Sequence, residues 1–454
     1  MATLTPPHGE ARTSGAPTSE PPAPGSSAVA GSAKRDVLAA GARPGVTHEV
    51  LSWLRSVLDR PLTSYHLVLG SVALLLVLGL MMVLSASSVS AYLNEDDSYF
   101  YVKRQAVFLV LGVVAALVMM KLPLSALRTL SWAGVGLAAV LLILTYTGLG
   151  QEVNGNRNWL YLGSKSFSIQ PAEFAKLAMI VWGADVLARK QRLLDQPKHL
   201  LVPFLPVSGL LILLVLFQGD AGTAVVMAAI AAGVLWIVGA PMRVLGVLAA
   251  AGATGVVAIF VTSPNRMRRL AAFLDPTASL DGANDQSRAG INAIGSGGWW
   301  GVGIGESRQK WGSLPEAHTD FIFAVIGEEF GLFGSLVVLL LFLILGYAGV
   351  RIATRCDDPF ARYAAGGVTT WFMVQALINL AVVLRLLPIA GVPLPLVSYG
   401  GSALIANLLA VGVLLACARQ EPAARKVLQK RVSRGRPRVS AVVGSRTPPA
   451  RTRG

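Results

Sequence analysis

Apolar residues in this chain come in long blocks separated by short polar stretches. Ten blocks, most near the ~20 residues a bilayer-spanning helix needs, fall at about 66–88, 105–120, 129–148, 172–188, 200–217, 222–239, 244–262, 321–346, 364–384 and 401–418. The pattern predicts an all-α polytopic membrane protein, a bundle of about 10 transmembrane helices. Segments of strict alternation, which would build a membrane β-barrel, are absent. Before the first block, Val50, Leu51, Trp53, Leu54, Val57 and Leu58 recur at helical spacing. Residues 49–60 therefore read as an amphipathic juxtamembrane helix or as the start of the first span. Residues 1–48 are Ala, Pro, Gly, Ser and Thr without an early apolar core. They predict a disordered tail rather than a signal peptide.

Charge adds orientation. The net charge is +15, yet only 14% of residues are charged. From Arg419 to Arg453 there are eleven Lys/Arg and one acid, Glu421. A basic tail beside a membrane helix sets topology and meets anionic lipid, so the excess does not point to nucleic acid. Residues 419–454 are expected to be disordered. One set of short connections carries Lys121, Arg128, Arg189, Lys190, Arg192, Lys198, Arg243, Arg351, Arg355 and Arg362, whereas the opposite side opens with the acidic Asn94-Glu-Asp-Asp97. Both termini are thus expected to be cytoplasmic. Cys356 and Cys417 lie far apart in sequence near that side and read as free thiols.

The other side holds basic residues that topology does not favour. They are Arg157, Lys165, Arg266, Arg268, Arg269, Arg288, Arg308 and Lys310. An anionic ligand at that face would explain them, as would headgroup contact alone. The 58-residue connection from Ser263 to Asp320 is the only long loop. Its glycine-rich run Gly295–Gly305 suits close backbone approach, to a ligand or to the bundle itself. Gln286 lies in the same connection as a further polar candidate. Glu173 and Lys176 are three apart on one helix face inside the membrane. They read as an ion pair facing the bundle or as substrate contacts. Asp220 reads as a helix cap. Gln375 and Asn379 share a helix face, and with Glu328, Glu329 and Ser398 they are expected to line one internal cavity. Glu316, His318 and Asp320 crowd the point where the long loop enters an apolar helix. Asp320 is either a functional acid or the cap of that helix.

Four runs together resemble one family. They are Asn154-Gly-x-Arg-x-Trp159, Gln170-Pro-Ala-Glu-Phe-Ala-Lys176, Leu314-Pro-Glu-Ala-His-Thr-Asp-Phe-Ile-Phe-Ala324 and Pro393-Leu-Pro-Leu-Val-Ser-Tyr-Gly-Gly-Ser402. Over about residues 65–418 the chain looks like the SEDS proteins (shape, elongation, division and sporulation) of bacteria. The acidic loop followed by Tyr99-Phe-Tyr-Val-Lys-Arg-Gln105 leans toward the division type. Two departures from the family pattern are Gly219, where proline is usual, and Asn156 and Asn158, where Ala and Arg are common.

The resemblance implies a peptidoglycan glycosyltransferase that polymerises lipid II at the outer membrane face, inverting the anomeric centre and releasing undecaprenyl pyrophosphate. It implies Asp320 as the catalytic base. Arg157, Lys165, Glu173, Lys176, Arg266, Arg268, Arg269, Gln286, Lys310, Glu316, His318 and Ser398 become candidate substrate contacts. A divalent cation (Mg or Mn) is a possible cofactor. A class B penicillin-binding protein and other divisome proteins are expected partners, at the septum. A lipid II flippase and a non-catalytic scaffold are the competing readings; internal repeats, which would favour a transporter, are not seen.

Overall fold

The computed structural model describes residues 59–153, 155–161, 168–194, 196–262, 264–275, 283–311 and 314–435. Nearly all of the expected helix at 49–60 lies outside them, as do the first 48 residues and residues 436–454.

Each apolar block contains a helix. In chain order they are α1 (Thr63–Glu95), α2 (Phe100–Lys121), α3 (Leu124–Leu144), α4 (Pro171–Arg189), α5 (Phe204–Phe217), α6 (Ala221–Val238), α7 (Met242–Thr262) and, after the long loop, α10 (Ile322–Arg355), α11 (Pro359–Val383) and α12 (Gly401–Ala418). The loop itself supplies α8 (Pro264–Leu274) and α9 (Ala283–Gly297), and the chain continues into α13 (Pro422–Gly435). Among the described residues, eight helices are long and apolar enough to cross a membrane. The expectation of disorder from residue 419 onward is corrected by α13, where good helix formers such as Ala, Lys, Leu and Gln extend the chain as a basic helix.

Local signals set the helix ends. Pro171 opens α4 at a position where its missing N–H costs nothing. Asp220 caps α6 by accepting from the Thr223 N–H, and Gly239 closes it at φ 96°. Asp358 caps α11 through the Ala361 N–H. Three short strands form a sheet the sequence reading did not anticipate: β1 (Gly150–Val153), β2 (Asn156–Tyr161) and β3 (Ser168–Ile169), all antiparallel.

Helix α4 is buried on nearly all sides, and α11 and α12 close around it. Several buried polar groups in this core are paired with one another. Lys176 donates to Glu173 (2.7 Å) and to Gln375 (2.8 Å), with its ammonium 4.8 Å from the Trp371 ring centre. On the side of the basic short loops, Asp185 joins α3 to α4 through Arg128 (2.7 Å), Arg189 (2.7 Å) and the Trp132 indole N–H (3.2 Å). Cys356 and Cys417, distant in sequence, meet there: the Cys356 thiol donates to the Cys417 carbonyl (3.4 Å), and both remain free thiols.

Helix α10 is in effect two helices. Gly331 breaks it at φ 65°, ψ −160°, a conformation only glycine adopts freely. A Cβ there would also sit 2.4 Å from the Gly301 nitrogen. A Cβ on Gly327 would lie 3.5 Å from Ser335 Oγ, although eight residues of straight helix would separate the two by about 12 Å. The chain therefore climbs from Asp320 to Glu329, turns over at Gly331 and descends as the span proper. The glycine run of the long loop fills the bend. Val302 and Gly303 donate to the Glu328 and Glu329 carbonyls, and Leu332 and Phe333 donate to the Gly298 and Trp299 carbonyls. Of the two uses expected for this glycine-rich segment, close approach to the bundle is the one observed.

Candidate active site

The site is built on the turn that precedes α10. Glu316 takes φ 55°, its carbonyl accepts from the Thr319 and Phe321 N–H groups, and its carboxylate accepts from the Thr319 hydroxyl at 2.7 Å. Phe321 is fully buried and anchors the turn against α9. Three successive carbonyls are then pinned from outside. The Tyr399 N–H donates to His318 O (2.9 Å), Ser398 Oγ to Thr319 O (2.7 Å) and Asn379 Nδ2 to Asp320 O (2.7 Å). Asn379 Nδ2 also reaches Val392 O at 2.8 Å, and Gln375 Nε2 reaches Pro393 O at 2.9 Å, so α11 fixes the neighbouring 390–398 segment at the same time.

The backbone of Asp320 is thus held from three sides while its carboxylate is left open. Among the described residues, no hydrogen bond is made to either carboxyl oxygen. The side chain passes Gly391 and is half-buried. Burial foremost, then the negative charges of Glu316 and Asp220, raise its pKa from 3.8 to about 7, with Arg269 pulling the other way. Asp320 does not cap α10, whose preceding residue, Phe321, makes no side-chain cap. The His318 ring packs between Tyr101 (4.9 Å) and Tyr399 (5.5 Å). Burial pushes its pKa below the usual imidazole range, against the opposing pull of Glu316.

The other sequence-derived candidates divide by location. Arg269 is half-buried beside Ile389 and close enough to act on Asp320; Arg268 is exposed on the same helix. Gln286 donates to Pro315 O (3.1 Å), which ties α9 to the site turn. Arg157 is exposed at the tip of the sheet and donates to Thr147 O (2.9 Å). Glu173 and Lys176 are 2% and 1% exposed and pair through one carboxylate oxygen, Oε1, at 2.7 Å. As direct substrate contacts they are corrected to braces, because a buried ion pair with a further amide partner has no face left toward the outside. Lys310 is likewise turned inward, bonded to Gly305 O, Ser85 and Glu329. Ser398 both donates to Thr319 O and accepts from the Leu394 N–H, so it holds the turn rather than a ligand. Glu328 binds Ser296, Ser307 and the Arg308 N–H. Glu328 and Glu329 rivet the long loop to the bend instead of lining a cavity. Lys165 lies outside the described residues, and only the backbone of Arg266 is described.

Sequence reasoning missed the neighbours of the acid. Asp220 accepts from Asn158 and Gln170 (both 3.0 Å) in addition to its helix cap. The signal was present, since Asn158 and Gln170 lie in two of the quoted motifs, but their convergence requires the sheet. Tyr101 and Arg104, one turn apart on α2, face Tyr399. No group of three or more His, Cys, Asp and Glu residues that could hold a metal occurs among the described residues.

Comparisons with known proteins identify the family of the chain. The family model described as "Cell cycle protein", covering FtsW, RodA and SpoVE, matches residues 65–423. A probable peptidoglycan glycosyltransferase FtsW of Mycobacterium tuberculosis is 37% identical over 82% of this chain and 71% of its own length. Stage V sporulation protein E of Bacillus subtilis is 39% identical over 76% and 94%. A chain from a solved peptidoglycan synthase complex, one that coordinates polymerisation and crosslinking, superposes with a TM-score of 0.65 at 28% identity, covering 78% of this chain and 97% of that one. The rod shape determining protein RodA of Thermus thermophilus gives 0.57 at 28% identity, over 78% and 96%. With its motifs in order and its helices superposing on those of solved relatives, the chain belongs to the cell cycle protein family, the SEDS family of FtsW and RodA.

Proposed function

We propose that the chain is a peptidoglycan glycosyltransferase that polymerises lipid II at the outer face of the membrane, with Asp320 as general base. The observation that carries this reading is the open carboxylate of Asp320 on a turn pinned at three carbonyls. A pKa of about 7 keeps a working fraction ionised at neutral pH and still makes the carboxylate a competent proton acceptor. In the reaction the acceptor 4-hydroxyl oxygen bonds to the donor anomeric carbon as the carbon–phosphate oxygen bond breaks. The hydroxyl proton passes to Asp320, and undecaprenyl pyrophosphate leaves with the bonding pair. Single displacement converts the α-phosphate to a β-1,4 linkage.

Arg269, whose charge acts on Asp320, is the basic group assigned to the departing phosphates, with Arg268 exposed on the same helix; Arg157, Arg266 and Lys165 stay candidates from the sequence. The negative surroundings of Asp320 also suit a divalent cation, for which Asp320 and Glu316 are the carboxylates on hand. When bound it would offset charge on the pyrophosphate. The similarity to a chain of a synthase complex that coordinates polymerisation and crosslinking supports a crosslinking partner, which we take to be a class B penicillin-binding protein. Both termini are assigned to the cytoplasm, on the side of Asp185 with its two arginines.

Purified protein with its class B partner, given lipid II with and without chelator, tests the reading. Wild type should make glycan strands and Asp320→Asn should not. Strands made at the wild-type rate by Asp320→Asn overturn the base assignment. Lipid flipping without polymerisation by wild type favours a transporter.

A further inference from the structure

The long loop carries a feature the reaction does not use. Trp299 and Trp300 are 66% and 81% exposed, and Ile304, five residues beyond Trp299, is 60% exposed. Large apolar side chains are not placed this openly to face water as a cluster. Nor are they free to swing, because the backbone that bears them is bonded to the α10 bend and both indoles pack on Phe333, at 6.2 and 4.7 Å.

Their height relative to the membrane follows from α10. Residues 322–329, before the bend, are all buried. After it, Leu332, Leu336, Leu340 and Leu343 are exposed along one face, and the face continues through Tyr347 to Val350. Nineteen helical residues from 332 to 350 span about 28 Å, close to the ~30 Å of a hydrocarbon core. The lipid-facing stripe therefore begins at Leu332, and the two tryptophans sit at its upper edge. That edge is where tryptophan is enriched, with an apolar ring toward acyl chains and an N–H toward headgroups.

We propose that Trp299, Trp300 and Ile304 form an interfacial anchor that beds the glycine loop into the leaflet on the side of Asp320. The occupant of this surface is lipid, since the patch is continuous with the exposed stripe of a spanning helix. The anchor sets the depth of the reactive acid. Along α1, Ser85 is level with Glu329 at the bend, whereas Gly79 packs on Val397, beside the Ser398 that pins Thr319. Six helical residues amount to about 9 Å, so Asp320 lies roughly that far below the anchored bend.

Full-length Ile304→Cys and Trp300→Cys, each carrying a thiol-linked fluorophore, test this in nanodiscs of phosphatidylethanolamine and phosphatidylglycerol. Cys356 and Cys417 are fully buried and stay unlabelled in folded protein, which also checks folding. The expected result is greater loss of fluorescence to shallow nitroxide-labelled lipid than to aqueous iodide at whichever position folds. Iodide quenching equal to or above lipid quenching overturns the anchor and marks the patch as water-exposed or reserved for a protein partner.

Discussion

Asp185 and Asp320 are both aspartates drawn into the bundle, on opposite sides of it. Asp185 is fully buried and both its oxygens are engaged, one by Arg128 and the other by Arg189 and Trp132. Asp320 is half-buried, its carboxylate receives no hydrogen bond among the described residues, and it has two other acids among its neighbours. The first arrangement lowers the cost of burying charge by pairing it. The second leaves the cost standing. An acid held in that state on a turn whose backbone is fixed three times over fits the role proposed for it toward a substrate, and the difference in partners separates it from the structural Asp185.

The comparison breaks most decisively at Asp320. Asp320→Asn should lower polymerisation by about 10²–10⁴-fold, the range of a lost general base. The same substitution should raise thermal stability at alkaline pH. The folded pKa is raised from 3.8 to about 7, so this group's contribution is unpenalised below pH ~4 and stability is lost as pH rises toward and through 7. Removing it should restore up to about 4 kcal/mol at pH 8, discounted for partial exposure, and nothing at pH 4. Melting curves of both proteins at the two pH values check the sign; equal shifts at both would mean the carboxyl is not strained.

Lys176→Met comes next. It strands the buried Glu173 carboxylate and should cost about 3–5 kcal/mol, with Lys176→Met/Glu173→Gln recovering much of it, read by denaturation in detergent. The pH–rate profile of wild type should rise about tenfold per pH unit below 7 and level off above it, because the base works only when ionised. Asp185→Asn should cost about 1–2 kcal/mol, since both arginines keep solvent, and leave the polymerisation rate per folded molecule unchanged. A comparably small effect is expected for Ser398→Ala. Loss of the hydrogen bonds to Thr319 O and from the Leu394 N–H, about 0.5–1 kcal/mol each, should lower kcat more than it changes KM.

The spans were legible because each is a contiguous apolar run with local stop signals, and Asp320 because an acid at a helix entrance is costly. The partners of those groups were not legible. Glu173 and Lys176 show their mutual spacing in sequence, but Gln375 and Trp371 join them only through the packing of α11 on α4. Lys310 looked like a phosphate contact until the fold-back at Gly331 brought Glu329 and Ser85 to it. The bend itself hides inside what reads as one uninterrupted apolar helix, because its cause is a single glycine whose partner segment lies about thirty residues upstream.

That upstream position has a consequence for how the protein is made. The broken turn at Gly331 releases backbone donors and acceptors that lipid cannot satisfy. Their partners, Gly298 through Gly303, are translated before the bend. By the time Leu332 and Phe333 leave the ribosome, the segment that must receive them has already been made. Synthesis from the N-terminus thus delivers the patch before the tear, and a circular permutation placing residues 283–311 after α10 would reverse that order and leave the opened turn waiting in the bilayer.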